Sequence, residues 1–241
     1  MNNQRDFYTR EAASYEAKRY GSRYGRLFRA LHREAVARGL SLSQRPEHIL
    51  DVASGTGQML PVFAASGAMV VAGDLTPAML KEARNACVTL ERIDYCVADA
   101  TQLPYAANGF DVVASSRFLH LFEPSMQQLL LQEMTRVVKP GGVLIVDFYS
   151  ADARRVFSWP IRLYRALLRK RPENDYRVGM NEARAMIEST GMRLVHVEGI
   201  GNFSLVPLLW MPSSWLMRIA KWLGRNFVHL SEQFLMVARK P

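Results

Sequence analysis

The sequence predicts an α/β protein: a doubly wound, mostly parallel sheet of seven strands with helical cap segments, closed by a pair of strands at its C-terminus. Two observations carry the prediction. From about residue 47, short β-rich runs alternate with stretches of helical periodicity, the pattern of βαβ units. The run ILDVASGTGQML, Ile49 to Leu60, ends an apolar strand in a glycine turn that opens a helix, the shape of a nucleotide-cofactor loop. A chain of 241 residues is long enough to bury a core without staples.

The elements follow in order. Residues before 40 read as mainly helical and hold six phenylalanines or tyrosines: Phe7, Tyr8, Tyr15, Tyr20, Tyr24 and Phe28. HILDVA, MVVAGDL, DYCVADA, FDVVASS and GVLIVDF read as five strands, separated by helices over Gln58–Ser66, Pro77–Thr89 and Ser125–Val138. Pro140-Gly141-Gly142 is expected to end the last of these helices and turn into the fifth strand. A helix over Asn181–Thr190 precedes MRLVHVEG and EQFLMVARK, the two closing strands. Two segments break this rhythm. Ala153–Arg171 has apolar residues at helical spacing, with Arg162, Arg165 and Arg169 on the other face. Gly201–Ser231 is far longer than a hairpin needs; Trp215, Leu216, Ile219, Trp222 and Leu223 are expected on one helical face, with Arg218, Lys221 and Arg225 opposite. This divides the chain into a helical cap over 1–45 and a main domain over 46–241, with cap insertions at about 150–178 and 200–231.

Composition narrows the function classes. Cys87 and Cys96 form no CxxC and have no histidine at metal-ligand spacing, so they read as reduced thiols of a cytosolic protein, without metal. The N-terminus lacks an apolar core of the signal-peptide kind. Gly199–Met217 has no charged residue, yet Pro207, Pro212, Asn202 and three serines argue against a membrane span. The net charge of +9 is uneven: residues 1–33 and 151–172 are strongly basic, and residues 34–150 carry 12 acidic against 8 basic side chains. An anionic partner suits the basic blocks, although solvated helix faces explain them equally well.

The loop itself separates cofactors. A dinucleotide fingerprint needs a third glycine, and Gly55-Thr56-Gly57 is followed by Gln58, Met59 and Leu60. Asp74 ends the second strand, where a carboxylate accepts from two vicinal ribose hydroxyls of any adenosine cofactor. Asp51, just before the turn, repels a pyrophosphate and attracts an ammonium group. Asp99, after the third strand, can accept from an adenine amine while the next backbone N–H donates to the ring.

ILDVASGTGQ, AGDLTPAML, VADATQLPY, FDVVASSRFLHLF and VVKPGGVLIV resemble, in order, the motifs of class I S-adenosylmethionine-dependent methyltransferases, most closely the small-molecule branch with the ubiquinone and menaquinone enzymes. The likeness covers about residues 47–147 and the two final strands, and implies that those strands form a reversed hairpin. It also implies S-adenosylmethionine as methyl donor and S-adenosylhomocysteine as product. The family usually writes its loop with a glycine where Ala53 stands and another small residue at Ser54; alanine is tolerated if its φ stays negative.

By that resemblance Asp51, Ala53, Ser54 and Gly55 line the methionine part, Asp74 holds the ribose, and Leu75 and Met79 pack near the adenine. Asp99 and Ala100 read the adenine edge, Ser115 borders the sulfonium, and Tyr15 and Tyr20 act as lid tyrosines.

Methyl transfer is dominated by positioning, worth about 7–11 kcal/mol, with about 10²–10⁴-fold more from a base when the nucleophile arrives protonated. His120 is the candidate base; Arg117, Asp147 and Tyr149 are candidate substrate contacts at the carboxyl ends of the strands. Nucleic-acid substrates are disfavoured. Ser115-Ser116-Arg117-Phe118 stands where such enzymes of this fold resemble one another in an Asn/Asp/Ser-Pro-Pro-Tyr/Phe motif, and neither cysteine follows a proline. The expectation is a small apolar or aromatic metabolite, methylated at oxygen or nitrogen in a pocket walled by Trp159, Phe203, Leu209 and Trp210. Two alternatives stay open: a lipid or quinone methylated at an anionic membrane surface, and a cofactor-binding protein without catalysis. The apolar caps could also pair two chains as a homodimer.

Overall fold

The computed structural model describes residues 2–156, 175–201 and 208–241. Seven strands form one sheet in the order β3-β2-β1-β4-β5-β7-β6. They are β1 His48–Val52, β2 Met69–Asp74, β3 Ile93–Val97, β4 Phe110–Ser115, β5 Val138–Tyr149, β6 Arg193–Ile200 and β7 Gln233–Arg239. The first five run parallel, whereas β7 is antiparallel to both β5 and β6, so the expected reversed hairpin is present. β1 lies between β2 and β4, where the strand order reverses. A ligand crevice opens at such a point, outside the carboxyl ends of the strands.

Helices cover both faces. α1 Asn2–Tyr20, α2 Arg23–Leu40, α3 Leu60–Ala64 and α4 Pro77–Ala86 precede α5 Pro124–Val137, α6 Ala151–Val156, α7 Met180–Glu188 and α8 Ser213–Asn226. On one face Leu27, Leu31 and Val36 of α2 join Phe63 of α3 and Leu216 of α8. On the other Leu130 and Met134 of α5 join Ala183 and Ile187 of α7. Central strands buried on both sides need continuous apolar runs, which is how Ile49-Leu50 and Phe234–Ala238 read. Ser22 caps α2 by accepting from the Gly25 N–H at 2.9 Å. α2 thus belongs to the main core, while the polar α1 lies over the carboxyl ends of the strands.

Two details depart from the sequence expectation. α5 stops at Val137 and β5 starts at once, so Pro140-Gly141-Gly142 lies inside the strand. Between the pairs Phe110–Val138 and Val112–Val143 the register shifts, and the proline is absorbed there as a bulge.

The second concerns α8. Its buried face is Leu216, Ala220 and Gly224, not the tryptophan face. A Cβ on Gly224 would sit 2.3 Å from the Gly199 carbonyl oxygen of β6, so this glycine contact fixes the rotation of the helix. Trp215 and Trp222 consequently share the outer side with Arg218 and Arg225. The basic helix expected around Arg162, Arg165 and Arg169, with Trp159, and the expected pocket residue Phe203 lie outside the described residues.

Candidate active site

A cleft opens at the carboxyl ends of β1, β2 and β4, beneath α1. β1 delivers Asp51 to it, and the following loop turns on three residues of positive φ: Ala53 (+57°), Gly55 (+54°) and Gly57 (+79°). The sequence expectation that Ala53 keeps a negative φ is therefore corrected. An alanine held there costs about 1–2 kcal/mol relative to an ordinary conformation. Gly57 has a second constraint, since a Cβ would meet Leu60 at 3.0 Å and Ala83 at 3.1 Å. The Ser54 N–H bonds the Gly73 carbonyl at 3.0 Å, pinning the loop to β2.

Asp51 is only 2% exposed and lines the cleft. Among the described residues its carboxylate meets no cation. Burial, with the charge of Asp74 adding, holds its pKa well above the usual carboxylate range. Asp74 accepts from the Gly55 N–H at 2.9 Å and the Thr76 N–H at 2.7 Å, one bond to each oxygen, which leaves lone pairs for further donors. Ser54 Oγ is buried without a partner. Beyond Asp74, Leu75, Met79, Ala98 and Ala100 form an apolar slot. Two carboxylates short of cations, one with lone pairs spare for hydroxyl donors, beside an apolar slot, fit the amino-acid, sulfonium, ribose and adenine parts of S-adenosylmethionine.

The opposite wall is built around Arg117. Its backbone also has positive φ (+56°), and its N–H reaches both oxygens of Asp147 at 2.9 and 3.1 Å. His32 Nε2 stands 2.7 Å from the same carboxylate. The guanidinium donates from Nη1 to the Tyr20 hydroxyl at 2.6 Å and lies over the rings of Tyr20 and Phe28. Its Nε is buried without an acceptor. Burial raises the pKa of Tyr20, and pushes that of Tyr8 up to about 12, so both phenols stay protonated at neutral pH. α1 is tied over the cleft by the Thr56 hydroxyl, which bonds Glu16.

The cleft brings together Tyr15, Tyr20, Asp51, Ala53, Ser54, Gly55, Asp74, Leu75, Met79, Ala100 and Arg117 from the sequence-derived set. Others lie elsewhere. Asp99 bends back on its own turn, accepting from the N–H and hydroxyl of Thr101 at 2.9 and 2.7 Å. Ser115 is buried and donates to the Val52 carbonyl at 2.9 Å; its neighbour Ser116 lines the cleft instead. Asp147 is committed to Arg117 and His32 beneath the wall. Tyr149 is buried against His120, ring centroids 4.1 Å apart. His120 sits behind the wall formed by Phe118 and Leu121, and desolvation with nearby Arg117 pushes its pKa down to about 3. Trp210 is 78% exposed on the outside of the molecule.

Sequence reasoning missed Tyr8, Ser116, Phe118 and Phe122. Tyr8 had a signal: two helical turns before Tyr15, it shares that face of α1, and the rings lie 6.2 Å apart. Phe118 and Phe122 stack edge-on at 5.0 Å but cross an irregular turn that no periodicity announces.

Residues 50–146 match the family model described as a methyltransferase domain. Over 105 residues the chain is 41% identical to a demethylmenaquinone methyltransferase of Clavibacter sepedonicus, covering 43% of this chain and 42% of that protein. Over 129 residues it is 37% identical to a ubiquinone/menaquinone biosynthesis C-methyltransferase of Cereibacter sphaeroides, covering 51% of each. The chain thus spans about half the length of these curated relatives or less. Among solved structures, magnesium protoporphyrin IX methyltransferase of Synechocystis, with bound S-adenosylhomocysteine, superposes with a TM-score of 0.71 at 14% identity, over 100% of this chain and 99% of that one. At that identity the likeness speaks for the fold.

Proposed function

We propose that this chain, whose residues 50–146 match a methyltransferase domain, is a class I S-adenosylmethionine-dependent methyltransferase that transfers a methyl group to a hydroxyl oxygen on a small, apolar, ring-bearing acceptor. The observation that carries the cofactor half is the buried, cation-free carboxylate of Asp51 beside Asp74. Bound there, S-adenosylmethionine supplies an electrophilic methyl group on a sulfonium.

The rest is done by the chain. Asp51 and Ser54 would hold the amino-acid end, Asp74 would accept from the ribose, and Leu75, Met79 and Ala100 would pack against the base, since all of them line the cleft. Tyr8, Tyr15 and Tyr20 of α1 roof the reacting region and exclude water. Phe118, Leu121 and Phe122 offer an apolar wall to a flat acceptor. Arg117 is the cation lining the cleft among the described residues; it stabilises negative charge on an acceptor oxygen and so opposes the burial that raises phenol pKa values in this cleft, a role that needs no histidine base. The placement of His120 behind the wall, where a pKa of about 3 makes it a poor base, supports this role.

The test is a transfer assay with radiolabelled S-adenosylmethionine and host-cell extract, split into organic and aqueous phases. Label in the organic phase is the expected outcome. Cofactor binding without label in either phase would contradict catalysis, and label only in the aqueous phase would contradict an apolar acceptor.

A further inference from the structure

The outer side of α8 takes no part in the cleft. Trp215, Arg218, Trp222 and Arg225 follow one another at three- and four-residue steps and so form one stripe. Trp215 and Trp222 are 61% and 57% exposed, and Trp210 stands out just ahead of the helix. Large aromatic side chains grouped on a surface mark a contact face. Here the face is also cationic. The sequence has no acidic residue between Glu198 and Glu232. Arg218 is exposed, and Arg225 approaches Glu198 only to 3.9 Å. Lys221 points the other way and pairs with Glu34 at 2.5 Å.

Exposed indoles interleaved with arginines, on a segment that itself carries no acidic residue, are complementary to an anionic bilayer surface. There the rings settle at headgroup level and the guanidiniums meet lipid phosphates. A second copy of this chain would set arginine against arginine across a shared stripe, whereas lipid phosphates carry the opposite charge. Among the described residues no helix is long and apolar enough to cross a membrane, which suits a helix lying on the surface. Arg23, three positions after the cleft residue Tyr20, bonds the Met211 carbonyl, so the stripe adjoins the α1–α2 turn beside the cleft.

We infer that Trp210 and the Trp215-Arg218-Trp222-Arg225 stripe of α8 dock this protein on an anionic lipid surface. The docking stands apart from the catalytic reading; only the corollary, that an apolar acceptor enters the cleft from the lipid, rests on it.

The experiment is flotation of the full chain with phosphatidylcholine vesicles and with phosphatidylcholine–phosphatidylglycerol vesicles, at low and high salt. Tryptophan emission is followed in parallel, since three of the four tryptophans belong to this face. Expected are binding to the anionic vesicles with a blue shift, weakening with salt. The pairs Trp215→Ser/Trp222→Ser and Arg218→Glu/Arg225→Glu should each lose at least about tenfold in partitioning. S-adenosylhomocysteine affinity should stay unchanged in both, and each should still melt cooperatively. Failure to float with anionic vesicles at low salt, or flotation untouched by either pair, would overturn the inference. So would a dimer that both tryptophan substitutions dissociate while vesicles are ignored, which would assign the stripe to a second copy. A protein that floats but transfers no methyl group would leave docking intact and remove the catalytic reading.

Discussion

At one end of the cleft, Asp51 and Asp74 stand on adjacent parallel strands, Asp51 paired with Ala72 two residues before Asp74, and the charge of Asp74 acts on Asp51. At the other end, Arg117 is held by Tyr20, 97 positions earlier, and by Asp147, itself in contact with His32. The first end carries two carboxyl groups short of cations, both shifted toward the protonated form by burial until a cation arrives; the second is cationic and nearly saturated with its own partners. A site that must grip a sulfonium amino acid and an acceptor oxygen gains from that polarity, since each ligand is attracted to one end and repelled by the other.

The sharpest way to break the contrast is at Asp74. Asp74→Ala is expected to weaken S-adenosylhomocysteine binding at least about 100-fold, because hydrogen bonds to a charged group are worth about 1.5–3 kcal/mol each. Calorimetric titration reads this directly. At the other end, Arg117→Met keeps an unbranched stem between Tyr20 and Phe28 but removes the cation. Methyl transfer should fall by about 10²-fold with cofactor affinity nearly unchanged, and Arg117→Lys should not restore it, because an ammonium lacks the planar fork.

A smaller effect concerns stability. Asp51 has a raised pKa when folded, so the folded state retains a proton that the unfolded chain has lost. The stability of the free protein must therefore decline as pH rises from the ordinary value of 3.8 through the folded pKa. Asp51→Asn removes that loss. It should stabilise the ligand-free protein at pH 7 by about 1–3 kcal/mol, the gain vanishing near pH 4 and below, and should weaken cofactor binding at the same time. Denaturant melts at the two pH values check it. The smallest effect belongs to Ala53→Gly, which relieves positive φ at the cost of a looser unfolded chain. A gain of up to about 1 kcal/mol is expected, with cofactor affinity kept.

What the sequence disclosed divides along the same line. The strands along the chain and the glycine turn after Asp51 were legible because each is written in a continuous run whose periodicity and turn residues point one way, whereas the reversed hairpin was implied only by the family resemblance. Ser115 and Ser116 show the limit: alternation along a strand assigns faces only once the strand's last paired residue is known, and β4 ends one residue short of the cleft. Asp147 and His120 were read as facing the crevice because they follow strand ends, yet both are drawn inward, one by Arg117 and His32, the other by stacking on Tyr149. No local pattern encodes those distant partners. The rotation of α8 was hidden for a similar reason, since it is set by a glycine contact across to β6.

The most direct test of the division of labour is a side-by-side titration of S-adenosylhomocysteine into wild type, Asp74→Ala and Arg117→Met. The account predicts that Asp74→Ala loses binding while Arg117→Met binds as wild type does. Equal loss in both would mean that Arg117 serves the cofactor, and that the two ends of the cleft do not divide the work.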